Sequence, residues 1–272
     1  MERIVLGYDG SPAAESALDW ITDRLARRSG LVDVIVIANM FLSSEADTDA
    51  LRDRAEQRMR MRVPALPVET STIDGLMPGA LVHAARDADL LVIGVDRGHP
   101  IRSAWHGWLP QRVSASSAVP TCVVPRGGSP AGGPVAVGLD DDDSSATAVE
   151  FAAAEARADS HRLRLVHSWA TAVDPADRTS PPTPRHRVQV QHQEYAAAAA
   201  ERIRRAHPSL DVQVELAQSN PSAMLTTAAR DSALVVIGTH GRGILAGGLT
   251  GSVALDLIGK VTTPVCVVPP RR

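Results

Sequence analysis

The chain has 272 residues, 28 Lys+Arg against 31 Asp+Glu, a formal net charge of −3, 44% hydrophobic residues and 3% aromatic ones. At roughly 150 residues per domain, this length favours two domains, each large enough to close its own core. The charge supplies no field that would gather nucleic acid or an anionic membrane, and so few rings exclude a stacking platform for single strands.

In chain order, residues 3–8 read as a short apolar strand. Residues 11–28 carry helical spacing, with Ala13, Ala17, Leu18, Ile21 and Leu25 on one face. A second strand is predicted over 32–38, a charged helix over 46–63, a third strand over 68–72 and a third helix over 78–87. A fourth strand follows at 90–94, a fourth helix includes 111–117, and a fifth strand covers 122–124. Continuously apolar strands alternating with helices predict a parallel sheet covered on both faces, a doubly wound α/β domain.

The same order then recurs. Ala84-Ala85-Arg86-Asp87 returns as Ala228-Ala229-Arg230-Asp231, Leu91-Val92-Ile93-Gly94 as Val235-Val236-Ile237-Gly238, and Pro120-Thr121-Cys122-Val123-Val124 as Pro264-Val265-Cys266-Val267-Val268. Each of these pairs is 144 positions apart, whereas Asp9 and Asp140, at the ends of the two first strands, are 131 apart. The second half therefore holds about 13 extra residues, assigned to a long surface loop from Val173 to His192. The expected division is a first domain over 1–126, a Gly/Pro-rich linker over 127–134 and a second domain over 135–272. Cys122 and Cys266 lie in apolar runs and are expected to be buried thiols. The start of the chain lacks the pattern of a signal peptide, and no apolar run approaches the roughly 18 residues of a membrane span, so a soluble cytoplasmic protein is expected.

In such sheets ligands sit at the carboxyl ends of the strands, where the strand order reverses. The loop after the fourth strand of the second half, Gly238 to Ser252, has six glycines in 15 residues. Glycine permits positive φ and close approach of backbone N–H groups, which together make an anion-binding concavity. Gly251-Ser252 opens the last helix, whose N-terminus adds a second anion site. A dinucleotide fingerprint is out of place here, because Gly241-Arg242-Gly243-Ile244-Leu245-Ala246 follows a fourth strand, and a Walker loop is absent. Asp140-Asp141-Asp142-Asp143 lacks the spacing of a calcium loop; Asp140 reads as ligand-facing and the next three as a helix start. The histidines are expected on solvated surface, His186 and His192 within the extra loop. His240, inside the glycine loop, either contacts a phosphate or faces solvent. No catalytic residue and no metal site is assigned.

These motifs resemble the universal stress protein family in its arrangement of two tandem domains, over nearly the whole chain. The resemblance rests on the pattern G-x2-G-x9-G-[ST], present as Gly238, Gly241, Gly251 and Ser252, and on the aspartates Asp9 and Asp140. It implies two tandem doubly wound domains of the adenine nucleotide alpha hydrolase-like fold, with ATP as ligand. By resemblance, the glycines and Ser252 hold phosphates and ribose, and Asp140 holds the adenine side. In the first half Gly94 and Gly107 keep the first and third glycines, while Arg97 replaces the second and Trp108 the hydroxyl. Asp9, Gly94 and Gly107 are thus candidates in a degenerate motif. The expected function is a regulatory, stress-response nucleotide-binding module, at most a weak ATPase, with Mg²⁺ arriving on ATP. Expected partners are the adenine nucleotide and either the other half of the chain or a second copy, with neither nucleic acid nor membrane. An ATP-hydrolysing or phosphoryl-transferring enzyme and a dimerising scaffold that binds no nucleotide remain the alternatives.

Overall fold

The computed structural model describes residues 1–38, 45–75, 78–96, 109–128, 132–140, 143–169, 185–239 and 252–270. The first half runs β1 (Glu2–Tyr8), α1 (Pro12–Leu25), β2 (Gly30–Ala38), α2 (Glu45–Arg62), β3 (Val68–Asp74), α3 (Gly79–Ala84), β4 (Leu90–Val95), α4 (Leu109–Ser116) and β5 (Thr121–Pro125). The second repeats it as β6 (Val135–Gly138), α5 (Asp143–Ala158), β7 (Leu163–Trp169), α6 (Arg185–Ala206), β8 (Val212–Gln218), α7 (Pro221–Ala228), β9 (Leu234–Gly238), α8 (Ser252–Lys260) and β10 (Val265–Val268).

The strands form one ten-stranded sheet in the order β3-β2-β1-β4-β5-β10-β9-β6-β7-β8. Within each half every pairing is parallel. The halves join through β5 and β10, which pair antiparallel with Cys122 opposite Cys266. Since these cysteines occupy equivalent places in the repeat, the seam lies on a pseudo-two-fold axis. The sequence predicted two parallel sheets, and the structure fuses them edge to edge. That fusion removes two apolar strand edges that would otherwise be open to pairing with other chains.

Alternate residues of each strand feed opposite cores, as the period of two requires. Ile4, Leu6, Val92, Cys122, Val137, Leu165, Val236 and Cys266 pack with Leu18, Ile21, Ala152 and Ala156 of α1 and α5. On the other face Val5, Leu91, Ile93, Val235 and Ile237 pack with Leu81, Leu225 and Leu257.

Local chemistry explains the ends of elements. Ser11 caps α1, its Oγ accepting from the Ala14 N–H at 3.1 Å, with Pro12 next, where a missing N–H costs nothing. Asn220 and Pro221 do the same for α7. Helix α1 stops three residues before the predicted Arg28. The Arg27 N–H turns back to the Arg24 carbonyl at 3.1 Å, and the chain enters β2 at Gly30. A Cβ at Gly30 would lie 2.9 Å from the Glu2 carbonyl oxygen, so only glycine lets the strand begin there without displacing β1.

The expected loop from Val173 to His192 is corrected at its end. Helix α6 begins at Arg185, so His186 and His192 are helical; residues 170–184 lie outside the described residues. The buried stripe Ala196, Ala199, Ala200 and Ile203 holds α6 to the core, while His186 and Arg187 of its first turn are exposed.

Candidate functional site

Both halves reverse strand order beside their first strand. In the second half β7 and β8 lie to one side of β6, and β9 and β10 to the other. The register pairs Val137 with Val236. Continued to the carboxyl edge, it sets Gly238 beside Leu139, one residue short of Asp140. Asp140 and Gly238 thus flank the reversal, the place where α/β sheets open a crevice. The first half matches it, with Gly7 level with Ile93 and Asp9 just beyond.

Asp140 is exposed, and its backbone is held at two points. Its N–H donates to Ser145 Oγ at 3.1 Å, and the Tyr195 hydroxyl donates to its carbonyl. The site is thereby tied to both α5 and α6. A carboxylate presented to solvent from a fixed backbone is suited to accept hydrogen bonds from a ribose or a base edge. Gly238 ends β9, and the following Thr239 N–H is held by the Val268 carbonyl at 3.0 Å. Ser252 is the first residue of α8, and Asp143 the first of α5. Gly107, Gly241 and Gly251, with Arg97, Trp108 and His240, lie outside the described residues.

In the first half Asp9 Oδ1 accepts from the Ser11 N–H at 2.9 Å, a local turn that leads into the capped helix. Gly94 has a packing reason of its own. A Cβ there would stand 2.3 Å from both the carbonyl carbon and oxygen of Ala13, so the first turn of α1 rests directly on β4. Tyr8, buried just before Asp9, donates to Glu15 Oε1 at 2.6 Å. Burial, then the hydrogen bond to Glu15, push the phenol far above its ordinary range.

Sequence reasoning missed a cluster of rings beside Asp140. His167 of β7 is buried, contrary to the expectation of solvated histidines. Its Nδ1 lies 2.7 Å from the Leu139 carbonyl oxygen, and its Nε2 lies 2.9 Å from His192 Nδ1. His192 stacks on Trp169, centroids 4.7 Å apart and planes at 15°. Tyr195 packs against His167 at 5.3 Å. The available signal was the pair His192 and Tyr195, three positions apart, which share one face of a helix.

A groove lined by Arg164, Glu215, Arg230 and Asp231 lies at the opposite, amino edge. There Arg164 forms a two-pronged pair with Asp231 at 2.8 and 2.9 Å, which uses the charges that an anion would need.

No helix among the described residues is long and apolar enough to cross a membrane. The model of the universal stress protein family matches residues 1–125 and 133–269. A universal stress protein of Mycolicibacterium smegmatis is 25% identical, over 98% of this chain and 97% of its own. One from Mycobacterium tuberculosis is 22% identical, over 97% and 94%. Among solved structures, a universal stress protein from Archaeoglobus fulgidus superposes with a TM-score of 0.68 at 16% identity, covering 98% of this chain and 96% of that one. That likeness supports the fold alone. With the family model matching twice in succession across nearly the whole length, the chain belongs to the universal stress protein family, as two tandem domains.

Proposed function

We propose that the second domain binds ATP as a regulatory ligand in the crevice between β6 and β9. The observation that carries this reading is the placement of Asp140 and Gly238 on either side of the strand reversal, with Gly238 opening the motif completed by Gly241, Gly251 and Ser252. Asp140 takes the adenine side. Backbone N–H groups of the glycine loop and the N-terminus of α8 take the phosphates, with Mg²⁺ accompanying them. Charge matching by Lys or Arg is then unnecessary, in keeping with a net charge of −3.

Occupancy tunes conformation through the ties already present. A ligand that holds Asp140 also biases Ser145 on α5 and Tyr195 on α6. Such a shift requires only that the two conformations differ in affinity for ATP. The first domain, with Asp9, Gly94 and Gly107 but Arg97 and Trp108 at the other motif positions, contributes no second nucleotide in this reading. The working division is 1–126 and 135–272 with a linker over 127–134, and the protein acts in the cytoplasm as a binding module.

Mass spectrometry of ligand released from purified protein tests the reading, with nucleotide counted per chain. One adenine nucleotide per chain is expected, lost on Gly241→Asp or Gly251→Asp in folded protein. Unchanged nucleotide content in a folded double variant would overturn it. Two nucleotides per chain would make Asp9, Gly94 and Gly107 ligands as well.

A further inference from the structure

The faces of α1 and α5 that meet above the seam carry opposite charges at equivalent positions. Arg24 meets Glu155, with Nη2 to Oε1 at 2.7 Å and a second bond from Nη1. Arg28 meets Asp159 at 2.9 Å and also reaches Glu155 at 3.2 Å. Arg27 adds a bond to Asp159 at 3.3 Å. Both principal pairs span 131 positions, the offset that relates the first parts of the two repeats. Each residue therefore faces its own counterpart across the pseudo-two-fold axis.

This geometry fixes what any other pairing would bring together. A symmetric interface built from two first halves would set Arg24 on Arg24 and Arg28 on Arg28. One built from two second halves would set Glu155 on Glu155 and Asp159 on Asp159. The Arg24 and Glu155 side chains are only 4% and 8% exposed, so like charges there would meet with little water to screen them. Glu2, which accepts from Arg24 at 2.7 and 3.0 Å, belongs to the first half and offsets only part of its excess. Asp23 is engaged with Arg62. The apolar seam discriminates far less, since β5 and β10 present nearly the same run, Thr-Cys-Val-Val and Val-Cys-Val-Val.

We propose that the α1–α5 charge pattern is a partner-selecting code: it accepts the unlike half and rejects the like half of a second copy. The edges that the seam closes are thereby reserved for pairing within the chain. Association with another copy through like halves at β5 or β10 is blocked by charge.

A set of full-length variants tests this. Arg24→Glu with Arg28→Asp makes both faces acidic, and Glu155→Arg with Asp159→Arg makes both basic. Each is expected to lower Tm by about 10 °C or more, in line with an unpaired buried charge in a chain of this size. The fourfold exchange restores opposite charges and is expected to recover at least half of that loss, the remainder reflecting Glu2 beside the carboxylate that Arg24→Glu introduces. A fourfold exchange no more stable than the weaker of its two parents would overturn the proposal. Replacing all four residues by Met separates selection from stability, because an apolar substitute can hold Tm. After refolding at high concentration, native mass spectrometry should show chain pairs for that variant and monomer for the wild type. Monomer alone in both would assign the selection to the linker and overturn the code.

Discussion

His167 and His192 share a single hydrogen bond between ring nitrogens, 2.9 Å from Nε2 to Nδ1. The Leu139 carbonyl can only accept, so His167 donates to it from Nδ1. Nitrogen-15 NMR should find a proton on His167 Nδ1. His167→Phe leaves the Leu139 carbonyl without this donor and should cost about 1–3 kcal/mol in urea unfolding. It should also weaken nucleotide retention, since Leu139 precedes Asp140. A stability loss with wild-type nucleotide content would uncouple the ring cluster from the site.

Gly94 and Gly238 hold the same place in the repeat, but the structure gives Gly94 a role that needs no ligand. Gly94→Ala would drive a methyl into the Ala13 carbonyl. Relief requires lifting the first turn of α1 from the sheet, at an overpacking cost of about 1–3 kcal/mol or more. Chemical denaturation should show that loss, with the nucleotide count per chain unchanged.

The charged cluster above the seam predicts an acid limb in stability. Burial opposes charge on Glu155, but its hydrogen bonds and ion pairs with Arg24 and then Arg28 hold its pKa below the usual carboxylate value. Asp159 is likewise opposed by burial and lowered by Arg27 and Arg28. A folded pKa below the unfolded one means stabilisation that is full above about pH 4 to 5 and lost as pH falls through the folded values. Glu155→Gln should flatten this limb in urea titrations between about pH 5 and 2. It should also lower stability at neutral pH, where Arg24 keeps only Glu2. An unchanged acid limb in this variant would remove Glu155 from the account.

Cys122 and Cys266 are each 1% exposed, and burial pushes both thiols well above their ordinary range. A thiolate is the reactive form. Alkylation in native buffer should therefore proceed only as fast as the seam opens, and denaturant should accelerate both sites together. Rapid labelling of either residue in folded protein would show that the β5–β10 pairing separates without global unfolding.

Much of this was legible in the sequence because the repeat reads the fold twice. The offsets of 144 and 131 placed the extra residues between the second and third strands of the second half, and continuous apolar runs placed the strands to within a few residues. Pairing of the two halves was expected by resemblance, but the strands that form the seam were not legible, since a run such as Pro-Thr-Cys-Val-Val carries no mark of the strand it will pair with. Helix α6 was hidden at its start by Pro181, Pro182 and Pro184 and by a polar stretch from Arg185 to Glu194 that buries little. Its later stripe from Ala196 to Ile203 had the helical period in plain view. The inversion of charge between Arg24 and Glu155 was also present in the sequence, and only the geometry showed that these positions meet. Asp9, Asp140, Gly94 and Gly238 fall at the strand ends that their spacing implied.

Strand direction inverts at the antiparallel contact of β5 with β10. The carboxyl edges of the two domains therefore open on opposite rims of one continuous sheet, separated by about 17 Å, the length of a five-residue strand. Asp9 and Asp140 therefore lie on opposite rims and do not share one crevice. The repeat is thus symmetric in its strands but not in its motifs, with Arg97 and Trp108 in the first half at the positions of Gly241 and Ser252 in the second, so the two rims are distinguishable poles of one sheet.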